Sequence, residues 1–263
     1  MDLSHIKMVV TDMDGTLLNS NHEVSDRFFN LFEKLKRKGI LFVAASGRQY
    51  SSMVAKLAPI KDDIVIIAEN GAFVKRKNEV LLTTPITNLQ VQHILSLVKP
   101  LNGAHPVLCS KENAYVSGSS QPFIDVLKEY YAEFNIVEDQ FMVTNQILKV
   151  AIYHFESSEQ FIYPAVAPLE DELKVKISGS NWVDVSHMNA HKGFALSRLM
   201  KEYGIASHEL LVFGDYNNDI EMLQLADFSV AMANAHPNVK KVSNFKTKSN
   251  DAFGVEHILE KIP

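Results

Sequence analysis

The chain has 263 residues, 26 basic against 31 acidic side chains and a formal charge of −5; 46% of its residues are hydrophobic and 22% charged. That composition supplies a large buried core and excludes a disordered chain, and the acidic balance excludes a general nucleic-acid binder, whose affinity rests on a basic surface. A single cysteine, Cys109, excludes a disulfide framework or a thiolate metal cluster; the longest uncharged stretch, Val80 to Val98, holds Asn88, Gln90, Gln92 and His93 and is too polar to span a bilayer.

The first seventy residues alternate short apolar runs with helical patterns. Met8 to Thr11 reads as a buried β-branched strand. Ser25 is placed to cap a helix carrying Phe28, Phe29, Phe32 and Leu35 on its core face, and Gly39 stops it. Ile40 to Ala45 is a second strand, Met53, Val54 and Leu57 mark a short helix ahead of Pro59, and Ile64 to Ala68 is a third strand. That rhythm predicts a parallel sheet with crossover helices.

The rhythm changes after Gly71. Phe73-Val74 and Val80 to Leu82 flank a charged tip, Lys75 to Asn78, and read as a hairpin. Helices are expected near Leu89 to Val98, Phe123 to Phe134 and Gln160 to Leu169. Strands are expected near Pro106 to Cys109, Ala114 to Val116, Lys149 to His154 and Leu173 to Ser178. The first rhythm then resumes, with a helix over Gly193 to Tyr203, a strand over Leu210 to Phe213, a helix over Asp219 to Leu225 and a strand over Phe228 to Ala231. The expected fold class is therefore α/β, a Rossmann-like core with a parallel central sheet over 1–83 and 188–263, interrupted by an α+β domain over 84–187.

Four clusters stand at the carboxyl ends of expected core strands or at the start of the returning helix, where open α/β sheets bind ligands. They are Asp12-Met13-Asp14-Gly15-Thr16, Ser46-Gly47-Arg48, Lys192-Gly193 and Gly214-Asp215-Tyr216-Asn217-Asn218-Asp219. Taken singly, a Ser-Gly-Arg or a Gly-Asp-x-Asn-Asn-Asp reads as turn and capping chemistry. Asp-x-Asp-Gly-Thr is rarer, with a chance occurrence of roughly a few in a thousand for a chain of this length. Converging carboxylates at strand ends suit a hard cation, and Mg²⁺ fits best. A lysine and a serine-glycine turn supply donors for phosphoryl oxygens. An ionised aspartate can attack phosphorus without a base, and a second carboxyl two residues on can serve as acid and then base.

In this order the four clusters resemble the motifs of haloacid-dehalogenase-superfamily phosphatases. The long insertion after Glu69-Asn70-Gly71-Ala72 is similar to the α/β cap of the Cof-type branch, which acts on sugar phosphates and other small phosphomonoesters. The resemblance implies a Mg²⁺-dependent phosphatase working through an aspartyl phosphate on a small phosphorylated metabolite, with no protein partner implied; the single cysteine and the lack of a spanning segment lead us to expect a soluble, cytoplasmic protein. Asp12 would be nucleophile and metal ligand, and Asp14 general acid/base and a metal ligand through its carbonyl. Ser46, the Gly47 amide, Lys192 and Asn218 would hold phosphate, and Asp215 would be the third protein ligand, with Asp219 supporting from behind. Arg48 and Asn70 would be contacts on the substrate side. A sugar phosphomutase of the same fold and a non-catalytic phospholigand-binding protein are the alternatives.

Other residues have plainer readings. His187 and His191 have a spacing that on a helix would turn two imidazoles to one side, but no third zinc ligand accompanies them in what reads as a linker. Trp182 is expected to pack, Tyr216 to be able to face substrate, and Cys109 to be a buried small side chain. Specificity is expected in the inserted domain, around Gly179 to Asp184.

Overall fold

The computed structural model describes residues 2–111, 113–118, 120–131 and 133–263. The chain forms β1 (Met8–Asp12), α1 (Asp26–Arg37), β2 (Leu41–Ala45), α2 (Tyr50–Lys56), β3 (Val65–Ala68), β4 (Phe73–Arg76) and β5 (Glu79–Thr83). It continues through α3 (Asn88–Val98), β6 (Ala104–Ser110), β7 (Ala114–Ser117), α4 (Gln121–Tyr130), β8 (Phe134–Val137), β9 (Ile147–His154), α5 (Ser158–Phe161), α6 (Tyr163–Val166), β10 (Leu173–Ile177) and β11 (Trp182–His187). The last part is α7 (Lys192–Tyr203), β12 (Leu210–Gly214), α8 (Ile220–Leu223), β13 (Phe228–Ala231), α9 (Pro237–Val242), β14 (Phe245–Lys246) and α10 (Gly254–Leu259).

Two compact units result, one from Met1–Leu82 with His191–Pro263 and one from Thr83–Ala190. The first is built on a sheet of order β14-β13-β12-β1-β2-β3-β4-β5 among the described residues. Pairing is parallel from β14 through β3, and β4 joins β3 antiparallel. All five residues of β1 are buried, as expected of a strand covered on both faces. Helix α1 buries Phe28, Phe32 and Leu35 as expected, but Phe29 is only half-buried and Leu31 takes its place on the core face. The Ser25 hydroxyl accepts a hydrogen bond from the Phe28 amide, and Phe28, Leu31, Phe32 and Leu35 form the buried stripe. The rings of Phe28 and Phe32 close on Phe42 of β2. Lys77 in the left-handed region (φ +53°) makes the tip of the hairpin between β4 and β5.

The second unit holds a sheet of order β10-β11-β9-β6-β7-β8. One face packs Leu108, Val150, Ile152, Val183 and Val185 against Ile94 and Leu95 of α3 and Ile162 and Val166 of the α5–α6 segment. The other gathers Val107, Cys109, Ala151, Tyr153 and Trp182 under Phe123 and Leu127 of α4.

Several elements here depart from the expected pattern. The segment 160–169 is broken into short turns rather than one helix, because Pro164 and Pro168 each withdraw a backbone donor. The helix expected to reach Phe134 ends at Tyr130, and Phe134 opens β8, parallel to β7; Ala132 lies outside the described residues. The stretch read as a linker is the strand β11 up to His187, paired antiparallel with β9 and β10. His187 and His191 therefore do not share a helix. His187 Nδ1 accepts from the Asn189 amide (3.0 Å), and His191 caps α7 by accepting from the Phe194 amide (3.2 Å). No helix among the described residues is long and apolar enough to cross a membrane.

Candidate active site

Strand register assembles the site. Asp12 ends β1 opposite Ala45, the last residue of β2, and Thr11 lies opposite Phe213, next to the end of β12. The chain beyond those ends begins with Ser46 and Asp215. Three of the four sequence clusters therefore meet at one sheet edge, where a ligand can approach strand ends without breaking the ladder.

Lysine supplies the fourth. Lys192 is the first residue of α7 and its side chain is fully buried; Nζ donates to Asp12 Oδ1 (2.5 Å) and to Asp219 Oδ1 (2.7 Å). Burial alone would lower the lysine pKa, but the two carboxylates outweigh it and hold the ammonium above its ordinary value. The second oxygen of Asp219 accepts from the amides of Asp215 (2.9 Å) and Tyr216 (3.1 Å). Both Asp219 oxygens are thus committed, and its function in the fold is to fix Lys192 and the loop after β12. Gly214 has to be glycine for this, since a Cβ there would stand 2.7–2.9 Å from the Asp219 side chain.

The Thr16 hydroxyl donates to Asp215 Oδ1 (3.0 Å). Gly15 allows this approach: its φ is +75°, and a Cβ would fall inside the Asp215 carboxylate. Asp12, Asp215 and Asp219 each bring a carboxylate oxygen to within 4.8 Å of the others. Burial, then the charge of Asp219, drives the Asp12 carboxyl well above the ordinary range despite Lys192. Burial and Asp219 also push Asp215 to about 6, with the Thr16 hydrogen bond pulling the other way. Clustered hard oxygens that repel one another and share a single buried ammonium are a donor set that fits a divalent cation such as Mg²⁺.

On the other side of Asp12, Arg48 grips Asp14. Its Nη2 donates to Asp14 Oδ1 (2.5 Å) and its Nε to Oδ2 (2.7 Å), a bidentate pair joined by His22 Nδ1 at 3.3 Å from Oδ1. Burial acts upward on Asp14, but the Arg48 hydrogen bonds prevail and hold its carboxyl below the usual value. Ser46 is buried, and its Oγ accepts from the Arg48 amide (3.1 Å). The Asn218 amide donates to Asn70 Oδ1 (3.0 Å), beside Gly47.

The ten residues expected from sequence to form the site, Asn70 included, lie in the first unit. Arg48 was expected on the substrate side, and here its guanidinium is engaged by Asp14. Sequence reasoning missed the work of Thr16 on Asp215 and of His22 on Asp14; Thr16 stood inside a quoted motif, whereas nothing marked His22. Trp182 packs among Tyr130, Tyr131 and Tyr153 in the second unit, and Tyr216 is exposed with its ring edge-on to His236. Cys109 is buried with Sγ 3.5 Å from the Tyr131 hydroxyl.

Sheet and site together define a Rossmann-like hydrolase whose charged groups collect at the carboxyl edge of a parallel sheet. Residues 9–259 match the sequence profile of the haloacid dehalogenase-like hydrolases, and the chain belongs to that family, in its Cof-type branch. It is 28% identical over 264 residues to the Escherichia coli 5-amino-6-(5-phospho-D-ribitylamino)uracil phosphatase YbjI, covering 98% of this chain and 96% of that one. Among solved structures, a Streptococcus mutans protein superposes with a TM-score of 0.85 at 30% identity, covering 97% of this chain and 98% of its own. A Eubacterium rectale protein superposes with a TM-score of 0.92 at 28% identity and the same coverage.

Proposed function

We propose that the chain is a Mg²⁺-dependent phosphomonoesterase that works through an aspartyl phosphate on Asp12. The observation that carries this reading is Lys192, buried between Asp12 and Asp219 with Asp215 alongside. Such an arrangement sets a cation against the buried Asp12 carboxyl and aims it while leaving one of its oxygens for attack.

An Asp12 oxygen attacks phosphorus as the bond to the ester oxygen breaks, and Asp14 delivers a proton to the departing alkoxide. Water then attacks the acyl phosphate, Asp14 takes its proton, and inorganic phosphate and free Asp12 are released. Ser46 Oγ, the Gly47 amide and Asn218 hold phosphoryl oxygens, and Lys192 offsets their charge. Asp12, Asp215 and the Asp14 carbonyl are the groups that would hold Mg²⁺, which when bound screens the nucleophile from the phosphate dianion. Asp219 supports them from behind.

The substrate class is a small hydroxylated phosphomonoester. The resemblance to Cof-type sugar-phosphate phosphatases supports it, and so does the relative YbjI, named for a phosphoribitylamino-uracil. The second unit is read as the domain that selects among such esters. A cytoplasmic setting belongs to the same proposal, in keeping with metabolite substrates and a single cysteine kept as a buried thiol.

The test is phosphate release from sugar phosphates, nucleotides and 5-amino-6-(5-phospho-D-ribitylamino)uracil, with Mg²⁺ and with EDTA, for the native chain and for Asp12→Asn. Turnover abolished by both EDTA and the substitution is the expected result. Full activity in Asp12→Asn would remove the nucleophile assignment, and interconversion of two sugar phosphates without release would make the chain a mutase.

A further inference from the structure

The sharpest backbone anomaly lies at the end of β3. Glu69 (φ +49°), Asn70 (φ +54°) and Gly71 (φ +103°) are three consecutive residues in the left-handed half of φ space, and only the third is glycine. Asparagine tolerates this region, whereas a glutamate there, buried like Glu69, is uncommon and costs conformational energy. Strain of this kind persists where the surroundings impose it, and it concentrates at functional sites.

The surroundings here are the active-site clusters themselves. The Glu69 amide donates to the Arg48 carbonyl (3.0 Å) and the Asn70 amide to the Ser46 carbonyl (2.9 Å), so the turn is tied across the whole Ser46-Gly47-Arg48 segment. Gly71 lies so close to the backbone of His191 and Lys192 that a Cβ could not be accommodated, which locks the turn to the start of α7. The Asn70 side chain lies over Gly47, where a Cβ would come within 3.1 Å of both its polar atoms. Its Oδ1 is taken by the Asn218 amide. Its Nδ2 makes no hydrogen bond to the described residues, although it lies between the two segments that converge on the site.

We propose that the Glu69-Asn70-Gly71 turn is a strained positioning element of the phosphate site and that Asn70 Nδ2 donates a hydrogen bond to a phosphoryl oxygen. The inference rests on the phosphatase reading and gives Asn70 a definite partner, the phosphoryl group, instead of the organic part of the substrate. Asn218 orients the Asn70 amide by occupying its oxygen, so that only the NH₂ end can face an anion. The turn thereby couples the clusters after β2 and β12 to the lysine of α7.

The test separates backbone from side chain. Asn70→Gly relieves the φ penalty and removes the donor. Its melting temperature should stay level or rise by about 1–3 °C, while inorganic phosphate, titrated calorimetrically in the presence of Mg²⁺, binds at least tenfold more weakly. The kcat/KM for p-nitrophenyl phosphate should fall by at least the same factor. Lys77→Gly, at the left-handed hairpin tip remote from the four clusters in sequence, should show the thermal effect alone. Asn70→Gly with phosphate affinity and turnover within twofold of native would overturn the proposal, because glycine would then do all that the turn requires. Loss of binding accompanied by a melting temperature more than about 5 °C lower would overturn it too, by showing a structural role. If the native chain binds phosphate but cleaves no ester, the phosphatase reading fails, and the phosphate titration of Asn70→Gly still decides this one.

Discussion

Lys192 Nζ sits between Asp12 and Asp219, 2.5 Å from the first and 2.7 Å from the second, with no exposed side-chain surface on the lysine. A charge removed from water to this degree is stabilised only by its partners. The ammonium is thus at once a structural pin and the positive half of the environment of Asp12, the proposed nucleophile.

Replacing Lys192 by Met leaves two buried carboxylates without their cation. Unfolding in urea should show a loss of about 3–5 kcal/mol in metal-free protein, with phosphatase activity abolished. Added Mg²⁺ should restore part of the stability and none of the turnover. Native-like stability of Lys192→Met without metal would show that the two aspartates carry little charge at neutral pH.

Arg48 and Asp14 are a different kind of pair, with 29% and 41% of their side-chain surface exposed. Solvent screens such pairs, so Arg48→Ala should cost no more than about 1 kcal/mol of stability. The chemical effect should be larger. Without the guanidinium the Asp14 carboxyl rises toward and above its ordinary pKa, since burial then acts unopposed. The alkaline limb of the pH–rate profile, which reports the Asp14 proton donor, should move to higher pH, and the change should be larger on alkyl phosphates than on p-nitrophenyl phosphate, whose leaving group needs little protonation. An unshifted limb with equal losses on both substrates would separate Arg48 from the acid/base step.

Asp215 has its pKa raised to about 6 in the absence of metal. A carboxyl whose folded pKa exceeds its unfolded value binds more protons when folded, so metal-free stability should fall as pH rises from about 4 through 6. In the proposed metal site a divalent cation would take the place of that proton. The increase in melting temperature on adding Mg²⁺ should therefore be small at pH 5 and large at pH 7.5, with proton release on binding near pH 6. A pH-independent increase would mean that the cation binds elsewhere.

The residues proposed for the site were legible because most sit in short contiguous motifs: Asp12 and Asp14 two apart, Ser46 to Arg48 in a row, Asp215 to Asn218 and Asp219 in one loop. Strands such as β1, with Met8 to Val10, and β3, with Val65 to Ala68, were legible because burial on both faces leaves a short apolar, β-branched run. Strand β11 was not, because Asp184 and Ser186 alternate with Val183 and Val185, a pattern too short and too polar to be distinguished from loop. The broken segment 160–169 shows the reverse error, apolar spacing outvoting two prolines.

Sequence by itself pointed to the residues proposed to carry the chemistry and placed most of them after parallel strands, since motif identity and strand composition are local properties. It could not determine partnership. Arg48 holding Asp14 across 34 positions, Thr16 reaching Asp215 across 199 and Asn218 orienting Asn70 across 148 exist only because register brings strand ends level. The strain at Glu69 and Asn70 is likewise invisible in a one-dimensional pattern: φ there is set by three neighbouring segments pulling on one turn, and only the tertiary structure supplies those neighbours.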